Sequence, residues 1–270
     1  MALAVAQPAA GFPRDVVRRG ENDEIIVTQK IHGTSVRFAN TIVARRLNWR
    51  ERLAKRLGIK VAETEFAHVY GSRRVTKDAN EEGQNHFYDT DLWSQVAKRY
   101  DDLVPENFVV FGEIIGWTPQ DREKGLTAAP IQKNYTYDQK PGEAELYVYR
   151  VAVVNGQGVL VDLSWEQVVD FCKERGMKYV PVFYQGPKSG FDVDTFMDIN
   201  YSMSGFKSAV PLDKARVDEG VVIRTRGAQP YFLKAKSPKF LEHETKMLDK
   251  GEVDLETVGS EPEEAEEVLA

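Results

Sequence analysis

The chain has a single cysteine, Cys172, among its 270 residues. One thiol cannot build an intramolecular disulfide framework or a multi-cysteine zinc site, and it predicts a reducing compartment such as the cytoplasm. Long hydrophobic runs are missing as well. No stretch approaches the ~20 apolar residues of a membrane-spanning helix, so no membrane partner is expected. The opening "MALAVAQPAAGFPRD" lacks the basic start and apolar middle of a secretion signal, and residues 1–23 read as a flexible leader. There is no Gly-rich dinucleotide loop, no Walker loop, no internal repeat, and no linker before residue 250.

Lysine and arginine are absent from 252–270, which holds eight acidic residues. This skews the net charge of -6, because removing those eight from the 42 acidic residues leaves 34 against 36 basic ones. The remaining body carries about +2, so the acidic total does not exclude a nucleic-acid partner. Residues 248–270 are expected to be a disordered tail or a short exposed helix without a catalytic role.

What is present is a substantial core: 42% hydrophobic residues, with 13 Phe, 11 Tyr and 4 Trp. "EIIVTQKI" and "TSVRFANTIVARR" are rich in β-branched residues and predict strands. "NWRERLAKRLGI", 48–59, predicts a short helix with Leu53 and Leu57 on one face. "AHVYGSRRVT" predicts a strand with a bend. "DTDLWSQVAKRYDDLVP" predicts a helix capped by Asp89 or Thr90, with Leu92, Val96 and Tyr100 in phase and Pro105 beyond its end. "NFVVFGEIIGW" and "ELYVYRVAVVNGQGVLVDL" predict strands, the second a hairpin turning at "NGQG". Ser164 and Gln167 form a capping box for "WEQVVDFCKERG", which stops at Gly176. After "KYVPVFYQG" and a polar helix-like stretch, "EGVVIRTRGAQPYFLKAKSPKFLEHE" predicts two antiparallel strands around "RGAQP". Strands in short groups with few intervening helices predict one α+β domain over 24–247, not a βαβ series.

Charged residues interrupt these apolar strands at Lys30, Arg73, Glu113, Glu219, Lys234 and Lys236. One such residue is ordinary solvated surface. Six can form a buried ion-pair network, which seldom improves stability, or line a pocket for a polyanion. A lysine nucleophile needs a neutral amine, which desolvation and neighbouring cations favour. Those cations would then neutralise phosphate oxygens in the transition state, and two carboxylates could hold a divalent metal or accept from ribose hydroxyls.

"KIHG", "FGE", "EGVVI" and "LKAK", in this order and at this spacing, resemble the covalent nucleotidyltransferase superfamily of ligases and capping enzymes. "KIHGT" and "LKAKSPKF" are most similar to the ATP-dependent RNA ligases of the bacteriophage T4 RNA ligase 2 type. The likeness covers roughly residues 24–245. It implies an α+β nucleotidyltransferase fold, ATP-grasp-like, of antiparallel sheets with flanking helices. It implies an RNA ligase using ATP and Mg²⁺, or Mn²⁺ in its place, to join 3′-OH and 5′-phosphate RNA ends through a lysyl-AMP. A DNA ligase or other polynucleotide adenylyltransferase, and a non-catalytic module that has kept the pocket, are the alternatives.

Carried over by resemblance, Lys30 is the nucleophile, and Glu219, Lys234 and Lys236 complete the catalytic set, with Glu219 on the metal. Arg73 contacts AMP and the RNA end, Glu113 the ribose, and Gly33 allows close approach. Gln29, Ile31 and Ser35 join the nucleotide-binding set, and His32 has a structural role as its alternative. Tyr149 stands where a phenylalanine usually stacks on adenine. Tyr147 shares its strand face, and core packing is the alternative for either. Two departures stand out: Ser35 replaces an asparagine, and Arg150 follows the stacking aromatic where aspartate is common. Few residues follow "FLEHE" in place of a C-terminal RNA-engaging domain, so an accessory RNA-binding partner is expected to matter, with nicked duplex or structured junctions as substrate. Nothing in the pattern specifies an oligomer.

Overall fold

The computed structural model describes residues 23–72, 76–78, 92–120, 123, 125–198, 212, 218–227 and 229–248. The leader, Arg73, Arg74, the expected caps Asp89 and Thr90, and the acidic segment 249–270 lie outside them. In chain order the strands are β1 (Glu24–Lys30), β2 (Thr34–Ala44), β3 (Thr64–Gly71), β4 (Thr76–Asp78), β5 (Phe108–Gly116) and β6 (Ala144–Val154). They continue with β7 (Leu160–Asp162), β8 (Lys178–Tyr179), β9 (Val182–Pro187), β10 (Gly220–Thr225) and β11 (Phe232–Lys236). The helices are α1 (Trp49–Arg56), α2 (Leu92–Ala97), α3 (Trp165–Glu174), α4 (Val193–Asp198) and α5 (Pro238–Leu248).

The strands form two sheets. One has the order β11-β10-β1-β9, and the other β4-β3-β2-β5-β6-β7 with β8 also paired to β6. All pairings are antiparallel except the short parallel contact of β8 with β6. The α+β architecture of antiparallel sheets with flanking helices agrees with the sequence reading.

Ile25 through Gln29 of β1 are all buried, as a strand covered on both faces requires. On one face Ile25, Val27 and Val221 pack with Phe183, Phe191, Phe196 and Met197, the last two from α4. The other face looks toward the second sheet, where Arg150 of β6 lies 5.7 Å from the Phe232 ring of β11. Leu92, Trp93 and Val96 of α2 and Val168, Phe171 and Cys172 of α3 join the larger sheet in one buried core. The Ser164–Gln167 capping box of α3 is present, as is the positive φ of Gly176 just beyond its end. The helix expected around Leu92–Tyr100 is shorter than its pattern, since α2 tightens into a 3₁₀ turn over Lys98–Leu103. Tyr100 still stacks on Phe38, at 6.1 Å between centroids.

Residues 31–33 carry the chain from the first sheet into the second. A Cβ on Gly33 would lie 2.3 Å from the carbonyl oxygen of Ile114, so the crossing can be made this tightly only by glycine. That is the physical reason for the glycine in "KIHG".

Candidate active site

The crossing leaves Lys30 at the end of β1, on the same strand face as Ile26, which packs against the second sheet. Lys30 pairs with Gly220 of β10, and Gly220 with Lys236 of β11. Thr28 pairs with Val222, and Val222 with Lys234. Side chains two apart share a strand face, so Lys30, Lys234 and Lys236 lie on one surface. Gly220 has a positive φ of 153°, and a Cβ there would fall 1.9 Å from the Ala235 carbonyl oxygen. A side chain there would therefore collide with the β11 backbone between the two lysine rows.

Glu219 precedes β10 and is fully buried. Its Oε1 pairs with Lys30 Nζ and lies 3.9 Å from Lys236 Nζ. His32 Nδ1 faces Oε2 at 3.6 Å, too far for a hydrogen bond. Neither His32 Nδ1 nor Glu219 Oε2 has a hydrogen-bond partner among the described residues. Burial alone would raise the Glu219 pKa, but the Lys30 charge and the His32 ring outweigh it and hold the carboxyl at about 2.

The loop holding this carboxylate is clamped from both sides. Gln29 Nε2 donates to Asp218 Oδ1 at 2.6 Å, while its Oε1 accepts from Leu212 N–H at 2.8 Å. Ser237 N–H donates to the Glu219 carbonyl at 2.8 Å, and its hydroxyl to the Asp218 carbonyl at 2.8 Å. The same hydroxyl oxygen accepts from Phe240 N–H at 3.1 Å, which makes Ser237 the N-cap of α5 with Pro238 in the first turn. The "KSP" of "LKAKSPKF" thus starts a helix and fixes Glu219 together. Glu244 of α5 takes Lys236 Nζ at 2.6 Å, and the same amine lies 5.4 Å from the Phe240 ring centroid.

The second sheet supplies the opposite wall. Ser35 pairs with Glu113, and Glu113 with Tyr147. Glu113 is buried, and its Cγ would be 3.0 Å from a Cβ on Gly33. The β5–β6 register shifts between Phe111 and Gly112, which pair with Arg150 and Val148 and leave Tyr149 as the extra residue. Such a bulge re-aims a side chain. The Tyr149 hydroxyl comes to 3.0 Å from Ser35 Oγ. Arg150 instead binds Asp162 and lies 4.6 Å from the centroid of the Phe111 ring.

The RNA ligase family profile matches residues 23–236. The chain belongs to the RNA ligase family. Among solved structures, a mutant Naegleria gruberi RNA ligase with ATP and Mn superposes with a TM-score of 0.58 at 13% identity, covering 91% of this chain and 58% of that one. Another mutant of that ligase with ATP and Mn gives 0.54 at 14% identity, covering 86% of this chain and 55% of that one. This chain therefore spans a little over half the length of those structures, and at such identity the likeness is one of fold. No curated protein matches it in sequence.

Within the family frame, the structure brings together Lys30, Glu219 and Lys236, with Lys234 in the next register row. It joins Ser35 to Glu113 and to Tyr149. Gln29 is buried and donates to Asp218, and Ile31 lies in the core. Arg73 lies outside the described residues. Ser35, one of the two departures from the family pattern, is the hydrogen-bond partner of Tyr149, while Arg150, the other, is held by Asp162.

Several supporting residues are not legible in the sequence. Tyr137 accepts from His32 N–H at 2.8 Å, and Gln132 Nε2 donates to the Gly33 carbonyl at 3.0 Å. Tyr137 adopts φ 50°, which is costly for an aromatic residue and typical of constrained sites. Burial raises its phenol pKa well above the ordinary value. The His32 hydrogen bond opposes this, and the charges of Asp218, Glu219 and Glu113 add to it. The His32 ring meets Tyr135 and Phe240 edge-on, at 4.9 and 5.0 Å, which fits the structural role allowed for it.

Among the described residues, no group of three or more His, Cys, Asp or Glu side chains is placed to hold a metal ion. No described helix is long and apolar enough to cross a membrane.

Proposed function

We propose that the chain is an ATP-dependent RNA ligase whose Lys30 carries AMP between ATP and an RNA 5′-phosphate. The observation that carries this is the convergence of Lys30 and Lys236 on the buried Glu219 carboxylate, at the crossing between the sheets. The domain would span 24–247, and the T4 RNA ligase 2 type is the subfamily proposed.

Lys30 Nζ attacks the α-phosphorus, forming a P–N bond as the bond to pyrophosphate breaks. In the ion pair Glu219 favours the ammonium form of Lys30, which is no nucleophile. This differs from the expectation that desolvation and neighbouring cations would keep the amine neutral. Nucleotide binding must therefore loosen the pair, so that the Lys30 ammonium gives up its proton to solvent before the amine attacks. Lys234 and Lys236 neutralise charge that grows on the phosphate oxygens. A 5′-phosphate oxygen of RNA then attacks the phosphorus of the lysyl-AMP and frees Lys30. The RNA 3′-OH finally displaces AMP.

The cleft fits a divalent cation held jointly with the triphosphate. Glu219 Oε2 is a buried carboxylate oxygen without a hydrogen-bond partner among the described residues, and Mg²⁺ commonly binds through one or two carboxylates plus phosphates. Bound Mg²⁺ or Mn²⁺ would neutralise phosphate charge. Glu113 would receive ribose hydroxyls, and Tyr149 would present its ring to adenine while Ser35 fixes its hydroxyl. Arg73 is proposed to meet AMP and the RNA end.

The test is incubation with α-labelled ATP, or GTP as control, followed by denaturing electrophoresis. ATP label should remain on the protein and vanish in Lys30→Ala, while GTP labels poorly. Lys234→Ala and Lys236→Ala should each slow labelling on the order of 10²-fold. Label that survives in Lys30→Ala would remove the nucleophile from the scheme. Matched nicks with RNA or DNA at the 3′-OH side decide the substrate. RNA should seal faster, and equal or faster sealing of an all-DNA nick would move the assignment to a DNA ligase.

A further inference from the structure

Between β2 and β3 the chain makes an excursion that the cleft does not use. Residues 45–60, "RRLNWRERLAKRLGIK", hold seven basic residues and one acidic residue, Glu51, in a chain of net charge -6. Helix α1 within it is capped by Asn48 and Glu51 in a reciprocal box, yet none of its residues is buried. Leu53 and Leu57 share a face as the sequence predicts, but that face meets no core: Trp49, Leu53 and Leu57 are 69%, 50% and 70% exposed. The cross-strand pair Ile42 and Phe66 continues the apolar surface, at 56% and 39% exposed. A self-capped helix that buries nothing contributes little to the fold, so its residue types call for another account.

Charge identifies the occupant. Arg45 is tied to Glu51, and Lys55 to Glu63. Arg50, Arg52, Arg56 and Lys60 have no acidic partner among the described residues. The Arg50 guanidinium lies 5.3 Å from the Trp49 ring centroid, and basic side chains beside an exposed aromatic are how proteins track a nucleic-acid backbone while offering a base a stacking surface. Position agrees. β2 runs from Ser35 in the candidate site to Ala44 at the foot of the excursion, nine residues of strand or about 30 Å. That is close to one helical turn of a duplex, about 34 Å in DNA.

We infer that residues 45–60 form an RNA-binding arm that grips the phosphate backbone of a duplex about one turn from the end held at Lys30. This rests on the ligase reading for the location of the RNA end, but not for binding itself. The arm serves the steps in which RNA is bound and leaves transfer of AMP to Lys30 untouched. A short basic amphipathic helix could also lie on an anionic membrane. An eight-residue helix with three apolar side chains, rooted on the strand that carries Ser35, favours the RNA.

The test uses the full chain and the variant Arg50→Ala/Arg52→Ala/Arg56→Ala/Lys60→Ala, which changes only exposed positions and keeps the Asn48–Glu51 box. Binding of a 5′-phosphorylated RNA duplex is followed by fluorescence anisotropy across a salt series, with adenylate labelling and sedimentation with phosphatidylserine vesicles in parallel. The expected result is about tenfold or greater loss of RNA affinity at moderate salt. The slope of log K against log salt should be shallower by about two to four, since each phosphate contact contributes nearly one. Adenylate labelling should be unchanged. Wild-type RNA affinity and slope in the variant would overturn the arm, as would vesicle binding lost while RNA binding stays. Wild-type protein that takes no label from ATP yet shows the arm-dependent RNA binding would fail the ligase reading and sustain the arm.

Discussion

Glu219→Gln removes one charge and almost no volume, which isolates the electrostatics of the cleft. The carboxyl sits at about 2 in the fold against an ordinary 4.5, because Lys30 and His32 outweigh the burial that opposes them. The difference corresponds to about 3 kcal/mol of preference for the charged form in the folded chain. A second route gives a similar figure: breaking a buried ion pair by removing one partner costs about 3–5 kcal/mol, and the Lys30 side chain left behind is only 11% exposed. A folded pKa below the unfolded one stabilises fully above the unfolded value and is lost as pH falls toward the folded one. The Gln variant should therefore be less stable by about 3 kcal/mol at pH 7, and the gap should shrink to less than about half by pH 3. Urea unfolding followed by circular dichroism at both pH values measures this. A gap that is the same at pH 7 and pH 3 would refute the ion-pair account, even if the variant is less stable at both.

Two further outcomes follow from packing. Gly33→Ala should cost more than the roughly 1–3 kcal/mol of ordinary overpacking, because the clash is with the Ile114 backbone oxygen and no side chain can turn away. Gly156→Ala, where nothing lies within 4 Å, should melt near wild type, and a Gly33→Ala protein melting at that same temperature would contradict the tight crossing. Cys172 is buried, and burial pushes its thiol up to about 12 although Arg175 pulls the other way. Iodoacetamide at pH 8 should leave the folded chain unmodified and alkylate it in denaturant, and rapid alkylation of the folded chain would be the contrary result.

The strands were legible because "EIIVTQK" and "FVVFGEIIG" are dense in β-branched residues. The α3 capping box was legible because its residues lie three apart and act locally. The "NGQG" turn was legible too, with Asn155 Oδ1 accepting from Gln157 and Val159 N–H at 2.9 and 3.0 Å. The division into two sheets was not, since register between β1 and β10 is set by partners 190 residues apart. The lysines and Glu219 could be picked out as charges inside apolar runs. Tyr137, Gln132 and Asp218 could not: each reaches a partner far along the chain, His32, Gly33 and Gln29 respectively. The helix at 48–59 was placed correctly, but its leucine face pointed to a core that is not there. Periodicity reports that a face is apolar, not what covers it.

Among the described strands, β1 pairs with β9 and β10, so these edges of it have no partner until β9 has been made. Lys30 and Gly220 are separated by 190 residues. At the usual pace of about 5–20 residues per second, a ribosome needs roughly ten to forty seconds to close that gap. During this interval the larger sheet can be assembled through β8 while Ile25 and Val27, whose packing partners Phe183, Phe191, Phe196, Met197 and Val221 all come later, remain uncovered. The nascent chain thus carries an unpaired apolar strand near its beginning, the kind of segment that invites chaperones or aggregation. The candidate site is among the last parts of the molecule to exist.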